Sequence, residues 1–138
     1  MPEVKVQLRQ VGPSTSESTM PRGHKTLVDR PEAKGGADKG PMGGEYFLTA
    51  VGGCFMSTLL AAIKARESPV SNVCTEVTGT LLDDPTRFAS VSLQVSADCD
   101  DAELLAHLVH IAENGCIMVN SLKRGIEFGV TVGTTSGV

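Results

Sequence analysis

Residues 43–56, GGEYFLTAVGGCFM, begin the segment that decides the fold. From about Glu45 to Arg66, apolar residues cover most of a helical circumference. A helix that is apolar nearly all round is buried nearly all round. Gly52 and Gly53 lower its helix propensity by about 1 kcal/mol each, which indicates that another backbone approaches closely there. The segment therefore predicts a buried central helix that carries Cys54 directly behind two glycines.

Strands and a second helical region flank this segment. Alternation of apolar and polar residues predicts strands near 4–8, 24–29, 72–82, 89–97 and 126–132. A second helix begins at Asp100 or Asp101, where Asp100 and Glu103 fit a capping box. It ends at Gly115, and a short helix follows from Cys116 to Lys123. The order β-β-α-β-β-α-β indicates an α+β fold with a mainly antiparallel sheet.

The connections are also predicted from residue type. The segment 13–23, PSTSESTMPRG, has the composition of a turn, and 30–44 forms a loop rich in Gly and Pro. The first helix is too apolar for a small monomer to cover. An intertwined homodimer would cover it if the N-terminal strands, within residues 3–30, joined the sheet of the partner chain.

Composition restricts the classes of function. A chain of 138 residues with 41% hydrophobic and 20% charged residues is expected to form one domain over residues 1–138, with a loose tail over 133–138. A net charge of −4 and an aromatic content of 4% give no support to binding of nucleic acid or of an anionic membrane. The segment MPEVKVQLRQ has no long apolar run after its charges, so no signal peptide is expected. We expect a cytoplasmic protein whose four cysteines are thiols.

Two of the four cysteines occupy distinctive positions. Cys54 is either filler of an apolar core or a functional thiol, and the residues alone leave both open. Cys116, in ENGCIMVNSL (113–122), opens a helix whose N–H groups and dipole favour a thiolate at that residue. The alternative for Cys116 is a tightly packed corner. Cys74 and Cys99 lack an activating neighbour in sequence and are interpreted as structural or exposed thiols.

The sequence favours neither a metal site nor a phosphate-binding loop. His107 and His110 share a helical face, but they flank the apolar stripe and no C-x-x-C motif accompanies them. No metal site is therefore predicted. The loop GGADKGPMGG lacks the spacing of a phosphate-binding loop, and Asp38 would repel phosphate.

Two segments carry a family resemblance. VDRPEAKGGADKGPMGGEYFLTAVGGC, followed by a long apolar helix, resembles the osmotically inducible protein C / organic hydroperoxide resistance (OsmC/Ohr) family. AENGCIMVNSLK resembles the segment of that family that carries its second cysteine. The resemblance spans residues 24–132, and the predicted order of elements agrees with it. It implies an OsmC-like domain that forms an intertwined homodimer with an active site at each end of the interface.

The resemblance also implies a chemistry. Cys54 corresponds to the peroxidatic thiol, which attacks the O–O bond of an organic or fatty-acid hydroperoxide and becomes a sulfenic acid. Cys116 corresponds to the resolving thiol, which forms a disulfide with Cys54. A dithiol or a lipoylated protein then reduces the disulfide, and no bound cofactor is expected. The family relation thus predicts a cysteine-based peroxidase that acts in oxidative stress defence.

Further site residues follow from the same resemblance. Phe47, Val51 and Phe55 would form an apolar wall for an organic substrate. Active members of the family assist the thiolate with a Glu and an Arg. The Glu position, ten residues before the peroxidatic cysteine, is Gly44 here, so Glu45 is the nearest candidate; its alternative role is a carboxylate at the helix N-terminus. The closest basic candidates are Arg30 and Lys34, with Arg9 and Arg22 less favoured. Arg30 is preferred among them, with a solvated loop charge as its alternative.

The departure at Gly44 keeps a second function open. In this alternative the chain is a non-catalytic OsmC-like dimer that binds an apolar small molecule in the same pocket. Gly44 in place of Glu supports it, and the presence of both Cys54 and Cys116 opposes it.

Overall fold

The computed structural model describes residues 1–133, so nearly all of the tail predicted for 133–138 lies outside the described residues. Eight elements follow one another in the chain, apart from a short 3-10 helix at Glu32–Lys34. They are β1 (Gln7–Gln10), β2 (Ser16–Thr19), β3 (Lys25–Val28), α1 (Gly43–Ala65), β4 (Ser71–Leu82), β5 (Arg87–Asp98), α2 (Ala102–Gly115) and α3 (Ile117–Arg124). The predicted α+β class is confirmed, and the bounds of the three helices agree with those expected to within two residues.

The first three strands form an antiparallel sheet with β2 in the middle. Leu8 pairs with Ser18, and Glu17 pairs with Leu27. The prediction that 13–23 is only a turn was therefore wrong. The sequence SEST of β2 shows no apolar alternation, and the strand forms because it gains hydrogen-bonded neighbours on both sides.

The prediction of a strand over 126–132 was also wrong for the described residues. These residues follow α3 without strand structure, and their apolar side chains are exposed, with Phe128 91% accessible. A strand needs a hydrogen-bonded neighbour, and the two sheets of residues 1–133 provide β1-β2-β3 and β4-β5 only. Apolar alternation predicts which side chains could share a face, but it does not supply that neighbour.

The second helix begins one residue later than the capping box predicted. The carboxylate of Asp101 accepts hydrogen bonds from the N–H groups of Glu103 and Leu104, both at 3.1 Å. Asp101 is therefore the cap, and the pairing of Asp100 with Glu103 is not the one used. The end at Gly115 is confirmed, and Cys116 lies between α2 and α3.

Contact density divides the chain into two compact units. The first contains residues 1–50 and 77–92, and the second contains residues 51–76 and 93–138. Helix α1 and strands β4 and β5 each run through both units. A single domain over 1–138 stays a prediction.

In the first unit, a buried carboxylate organises the Gly-rich loop. Asp29 is 3% exposed and accepts hydrogen bonds from the Thr15 hydroxyl at 2.8 Å and from the N–H groups of Arg30 and Lys39 at 2.7 and 3.1 Å. Burial raises the pKa of this carboxyl, but these hydrogen bonds and one from Ser14 outweigh it and hold the pKa well below the usual range. The loop is thus anchored from both its ends.

The same unit fixes the first turns of α1. The Tyr46 hydroxyl donates to the carbonyl oxygen of Leu27 in β3 at 2.6 Å and also contacts the Thr26 hydroxyl. Phe47 stacks on Phe88 of β5, with ring centroids 5.3 Å apart. Gly79 makes room for this pair, because a Cβ there would lie 2.5 Å from the Phe88 ring.

In the second unit, α1, α2 and Cys116 form the core. Its buried members are Phe55, Leu59, Ala62, Leu108, Ala112 and Cys116. One chain buries only one stripe of α1, since Gly53, Ser57 and Leu60 are exposed. Apart from the backbone of α1 itself and the residues next to Gly53, no atom of residues 1–133 lies within 4 Å of a Cβ built on Gly53. The expected burial all round is therefore not reached within one chain. By length and composition alone α1 could also span a membrane, a test that core helices of soluble proteins pass as well.

Replacing Asp29 with Asn should lower the free energy of unfolding at neutral pH, because the amide carries no charge and has one acceptor oxygen instead of two. The folded-state pKa of Asp29 is depressed, so its contribution is present above the unfolded pKa of about 3.9 and is lost as pH falls toward the folded value. Urea denaturation of the wild type and Asp29→Asn should show a stability difference that shrinks as the pH is lowered.

The matched control is Asp38→Asn in the same loop. Asp38 is exposed and has a positive φ of 54°, which Asn tolerates. This variant should be close to the wild type at every pH. A difference between wild type and Asp29→Asn that is independent of pH would contradict the role given to the Asp29 charge.

Candidate functional site

The site is built from two cysteines that are 62 positions apart in sequence. The Sγ atoms of Cys54 and Cys116 lie 3.3 Å apart, and the Cys116 thiol donates a hydrogen bond to the Cys54 sulfur. Both residues belong to the second unit. The sequence leaves open whether Cys54 is core filler, and the structure places its sulfur beside a second thiol. No disulfide joins the described cysteines.

The two thiols differ in their surroundings. Cys54 lies in α1 and is half-buried, whereas Cys116 is fully buried, with 0% of its surface exposed. Cys116 has an extended backbone (φ −85°, ψ 122°), ends α2 and precedes α3. This extended residue turns the chain between two helices and directs the Cys116 side chain into the core.

The same surroundings shift the two pKa values in opposite directions. Burial raises the pKa of Cys54, but the N–H groups of Met118 and Ile117 and the Cys116 thiol outweigh it, so that the pKa of Cys54 is lowered. Burial raises the pKa of Cys116; the N–H groups of Val119 and Met118 oppose this, but the neighbouring Cys54 adds to it. Cys54 is therefore the thiol of the pair that ionises more readily, and Cys116 is its hydrogen-bond donor.

The net rise at Cys116 differs from one expectation, although the local effect behind that expectation is present. The position of Cys116 before a helix predicts that the helix N-terminus favours a thiolate on Cys116 itself. In the folded chain, N–H groups of α3 do lower the pKa of Cys116, but burial and the neighbouring Cys54 outweigh them. The first N–H groups of the same helix also lower the pKa of Cys54 in α1. Sequence neighbours cannot reveal this, because the group that benefits comes from a distant part of the chain.

Several contacts fix α3 in the position where it can act on Cys54. The Asn120 side chain donates to the carbonyl oxygen of Asn114 at 3.0 Å, which ties α3 to the end of α2. Lys123 and Glu113 form an ion pair at 2.7 Å across the same corner. The first helix contributes through Thr58, whose hydroxyl donates to the carbonyl oxygen of Cys54 at 3.0 Å. A larger residue at position 115 would be crowded, because its Cβ would lie 3.3 Å from the Thr58 methyl group.

The structure gives Glu45 a definite local contact. Its carboxylate accepts a hydrogen bond from the N–H group of Met42 at 2.9 Å, at the start of α1. This is the helix N-terminal role weighed as the alternative. A catalytic role for Glu45 stays a prediction.

Arg30 belongs to the Asp29-centred loop of the first unit. Its side chain is exposed and lines a cavity of about 470 Å³ together with Lys34, Ser14 and Ser16. Within residues 1–133, no carboxylate forms an ion pair with Arg30. Assistance of Cys54 by Arg30 also stays a prediction.

The three apolar residues predicted to line a substrate pocket have different environments. Val51 and Phe55 are 1% and 3% exposed, and Phe55 is part of the core cluster. Phe47 is half-buried and stacks on Phe88. Their contact with a substrate stays a prediction.

Phe88 is a residue that the sequence analysis missed. A Cβ on Gly44 would stand 3.5 Å from the Phe88 ring, so position 44 faces an aromatic ring. The sequence feature that could have revealed Phe88 is its place on a face of β5 that is otherwise small and polar, where Ser90 and Ser92 follow it. Gly44, Phe47 and Phe88 are thus neighbours in the first unit.

The remaining cysteines and histidines do not join the thiol pair. Cys99 donates to the carbonyl oxygen of Asp101 at 3.2 Å, and Cys74 is exposed on β4. The ring of His110 shares a hydrogen bond with Asn114 at 3.1 Å. In the part of the chain that the structure describes, no three His, Cys, Asp or Glu residues converge as a metal site would need.

Comparison with solved structures identifies the fold. A protein from Psychrobacter arcticus described as a putative osmotic stress induced and detoxification response protein superposes with a TM-score of 0.74 at 13% identity, over 88% of this chain and 89% of that one. An organic hydroperoxide resistance protein from Elizabethkingia anophelis gives 0.69 at 18% identity, over 92% of each chain. The organic hydroperoxide resistance protein OhrB of Bacillus subtilis gives 0.64 at 21% identity, over 88% and 90%.

Sequence comparison gives the family. No curated protein matches this chain significantly in sequence. The family model described as OsmC-like protein matches residues 36–131, which include both Cys54 and Cys116. This match covers more than half of the chain, so the protein belongs to the OsmC-like family.

Proposed function

We propose that this protein is a cysteine-based peroxidase that reduces organic or fatty-acid hydroperoxides to alcohols. The observation that carries the proposal is the pair of inequivalent thiols, with Cys54 and Cys116 sulfurs 3.3 Å apart and a lowered pKa on Cys54. A thiolate is the nucleophilic form of cysteine, and its neighbour is placed to trap an oxidised sulfur. Structural relatives named as organic hydroperoxide resistance proteins support the same reaction class.

The first step consumes the hydroperoxide. The Cys54 thiolate attacks the outer oxygen of R–O–OH, the O–O bond breaks, and R–O⁻ leaves and takes up a proton. Cys54 is now a sulfenic acid, and the substrate has become an alcohol. Two electrons have moved from the sulfur to the peroxide.

The second step closes a disulfide. Cys116 loses its proton and attacks the Cys54 sulfur, and the hydroxyl group leaves as water. A disulfide has an S–S length of about 2.05 Å, so the two sulfurs must approach each other by about 1.3 Å from 3.3 Å. This is a small displacement for a residue between two helices. An external dithiol or a lipoylated protein restores the two thiols, and no bound cofactor is required.

A non-catalytic dimer that binds an apolar molecule is the second candidate. Gly44 faces Phe88 where active family members carry a Glu, and the Glu45 carboxylate already accepts the Met42 N–H. Position 44 therefore provides no carboxylate, and the carboxylate of Glu45 already has a local partner. The two candidates differ in whether the thiol pair turns over.

We further propose that the chain acts as a homodimer in the cytoplasm, without nucleic acid or membrane. Exposed apolar residues at both ends of the described chain, such as Val4 and Phe128, and the open stripe with Gly53 and Leu60 are surfaces that a second copy would cover. Light scattering should therefore give about twice the chain mass of 14.4 kDa. A mass equal to one chain would contradict the dimer.

Replacing Cys54 with Ser should abolish peroxidase turnover, because the attacking sulfur is lost. Cys116→Ser should retain one turnover and then stop, because the sulfenic acid finds no second thiol. The measurement is consumption of cumene hydroperoxide with a dithiol reductant, followed by mass spectrometry of the peptides after one equivalent of peroxide. The wild type should contain the Cys54–Cys116 disulfide.

Cys74→Ser is the matched control, since Cys74 is an exposed cysteine outside the pair. It should turn over like the wild type. Full activity of Cys54→Ser would refute the mechanism. A wild-type protein whose two thiols survive the peroxide unchanged would favour the non-catalytic dimer.

A further inference from the structure

The two sulfurs of the pair differ in how a reductant could reach them. Cys116 has 0% of its surface exposed, and it is enclosed by Phe55 and Leu59 of α1 and by Leu108 and Ala112 of α2. These residues belong to its own chain, so docking of a second copy cannot uncover it. Cys54 is only half-buried.

From this difference we propose that the oxidised pair is always reduced at Cys54, so that the mixed disulfide with the reductant forms on Cys54 and Cys116 is expelled. This inference rests on the proposed function, because it needs the Cys54–Cys116 disulfide as its starting point. The way in which the disulfide forms does not determine which of its two sulfurs the reductant attacks. The proposal specifies that sulfur.

The exchange takes place in two steps. A thiolate of the dithiol attacks Cys54 Sγ, the Cys54–Cys116 bond breaks, and Cys116 leaves with the electron pair and takes up a proton. The second thiol of the reductant loses its proton and attacks the reductant sulfur that is bonded to Cys54. Cys54 then leaves as a thiolate and the reductant becomes a disulfide. Two electrons pass from the dithiol to the protein.

If the stability of the leaving thiolate were the only factor, the reductant would attack Cys116 instead of Cys54. Attack on Cys116 would expel Cys54, which the N–H groups of Ile117 and Met118 favour as a thiolate. Thiols of lower pKa leave faster. However, a nucleophile must approach along the S–S axis, and a fully buried sulfur can be reached only after a local opening of the core around α2 and α3. Access therefore decides which sulfur is attacked.

Because the thiolate that is expelled first, Cys116, is the less favourable of the two, the choice of reductant matters. After attack on Cys54, the expelled Cys116 lies beside the mixed disulfide as an unfavourable thiolate, and it can attack back. A monothiol has no group that competes with this return. A dithiol carries its own second thiol, which expels the well-stabilised Cys54 thiolate and makes the reduction proceed forward.

The test uses protein in which Cys74 and Cys99 are replaced with Ser, so that only the pair remains. The disulfide is formed with diamide rather than peroxide, which separates this inference from the peroxidase reaction. The oxidised protein is mixed with 2-mercaptoethanol, quenched in acid, unfolded and alkylated with N-ethylmaleimide. Peptide mass spectrometry should find mercaptoethanol on Cys54 and maleimide on Cys116, with an excess over the reverse pattern of about tenfold or more.

Single-cysteine forms of the same protein provide a second measurement. With Cys54→Ser, the reaction of Cys116 with an aromatic disulfide reagent should be slower in the folded than in the urea-unfolded state by on the order of 100-fold or more. With Cys116→Ser, Cys54 should show no such suppression. The paired variants share the same folded background, so their difference reports access.

Three results would overturn the inference: mercaptoethanol found mainly on Cys116, equal amounts on both cysteines, or failure of diamide to form the disulfide. The protein could instead be inactive toward cumene hydroperoxide while its diamide-formed disulfide is still reduced at Cys54. That combination would refute the peroxidase proposal alone.

Discussion

The hydrogen bond from the Cys116 thiol to the Cys54 sulfur is the contact on which the account of this site depends. It brings together residues 62 positions apart and assigns them unequal roles, one as acceptor and one as donor. A half-buried thiol alone would have a raised pKa, since burial disfavours its charge. The donor and the first N–H groups of α3 outweigh that effect at Cys54, whereas burial and the neighbouring Cys54 raise the pKa of Cys116.

Much of the surrounding structure serves to hold this arrangement. Cys116 must be extended between two helices, and the corner is held by the bond from Asn120 to Asn114 and by the ion pair of Lys123 with Glu113. On the other side, Thr58 binds the carbonyl oxygen of Cys54 and packs against the place where Gly115 lacks a side chain. The Cys116 sulfur lies fully buried at this corner, enclosed by residues of its own chain.

The sequence predicted those features that depend on local pattern. The three helices, the long strands and the two cysteine-bearing segments follow from periodicity, from Gly115 as a helix end and from family motifs. It did not predict features that depend on distant neighbours. β2 forms because β1 and β3 flank it, and residues 126–132 lack a neighbouring strand in the described chain. The N–H groups of α3 also lower the pKa of Cys54, which belongs to a distant helix. Asp29 gave no signal because its partners come from three separate positions.

The most direct test of the central claim is the ionisation of Cys54 in protein that lacks Cys74 and Cys99. The rate of alkylation by iodoacetamide, followed against pH, should have its midpoint below the ordinary thiol value of about 8.5. Cys116→Ala should raise that midpoint by removing the S–H donor. Ile117→Pro should also raise it, because Pro removes one N–H at an exposed position that follows an extended residue. A midpoint at or above the ordinary value that neither substitution moves would contradict the account.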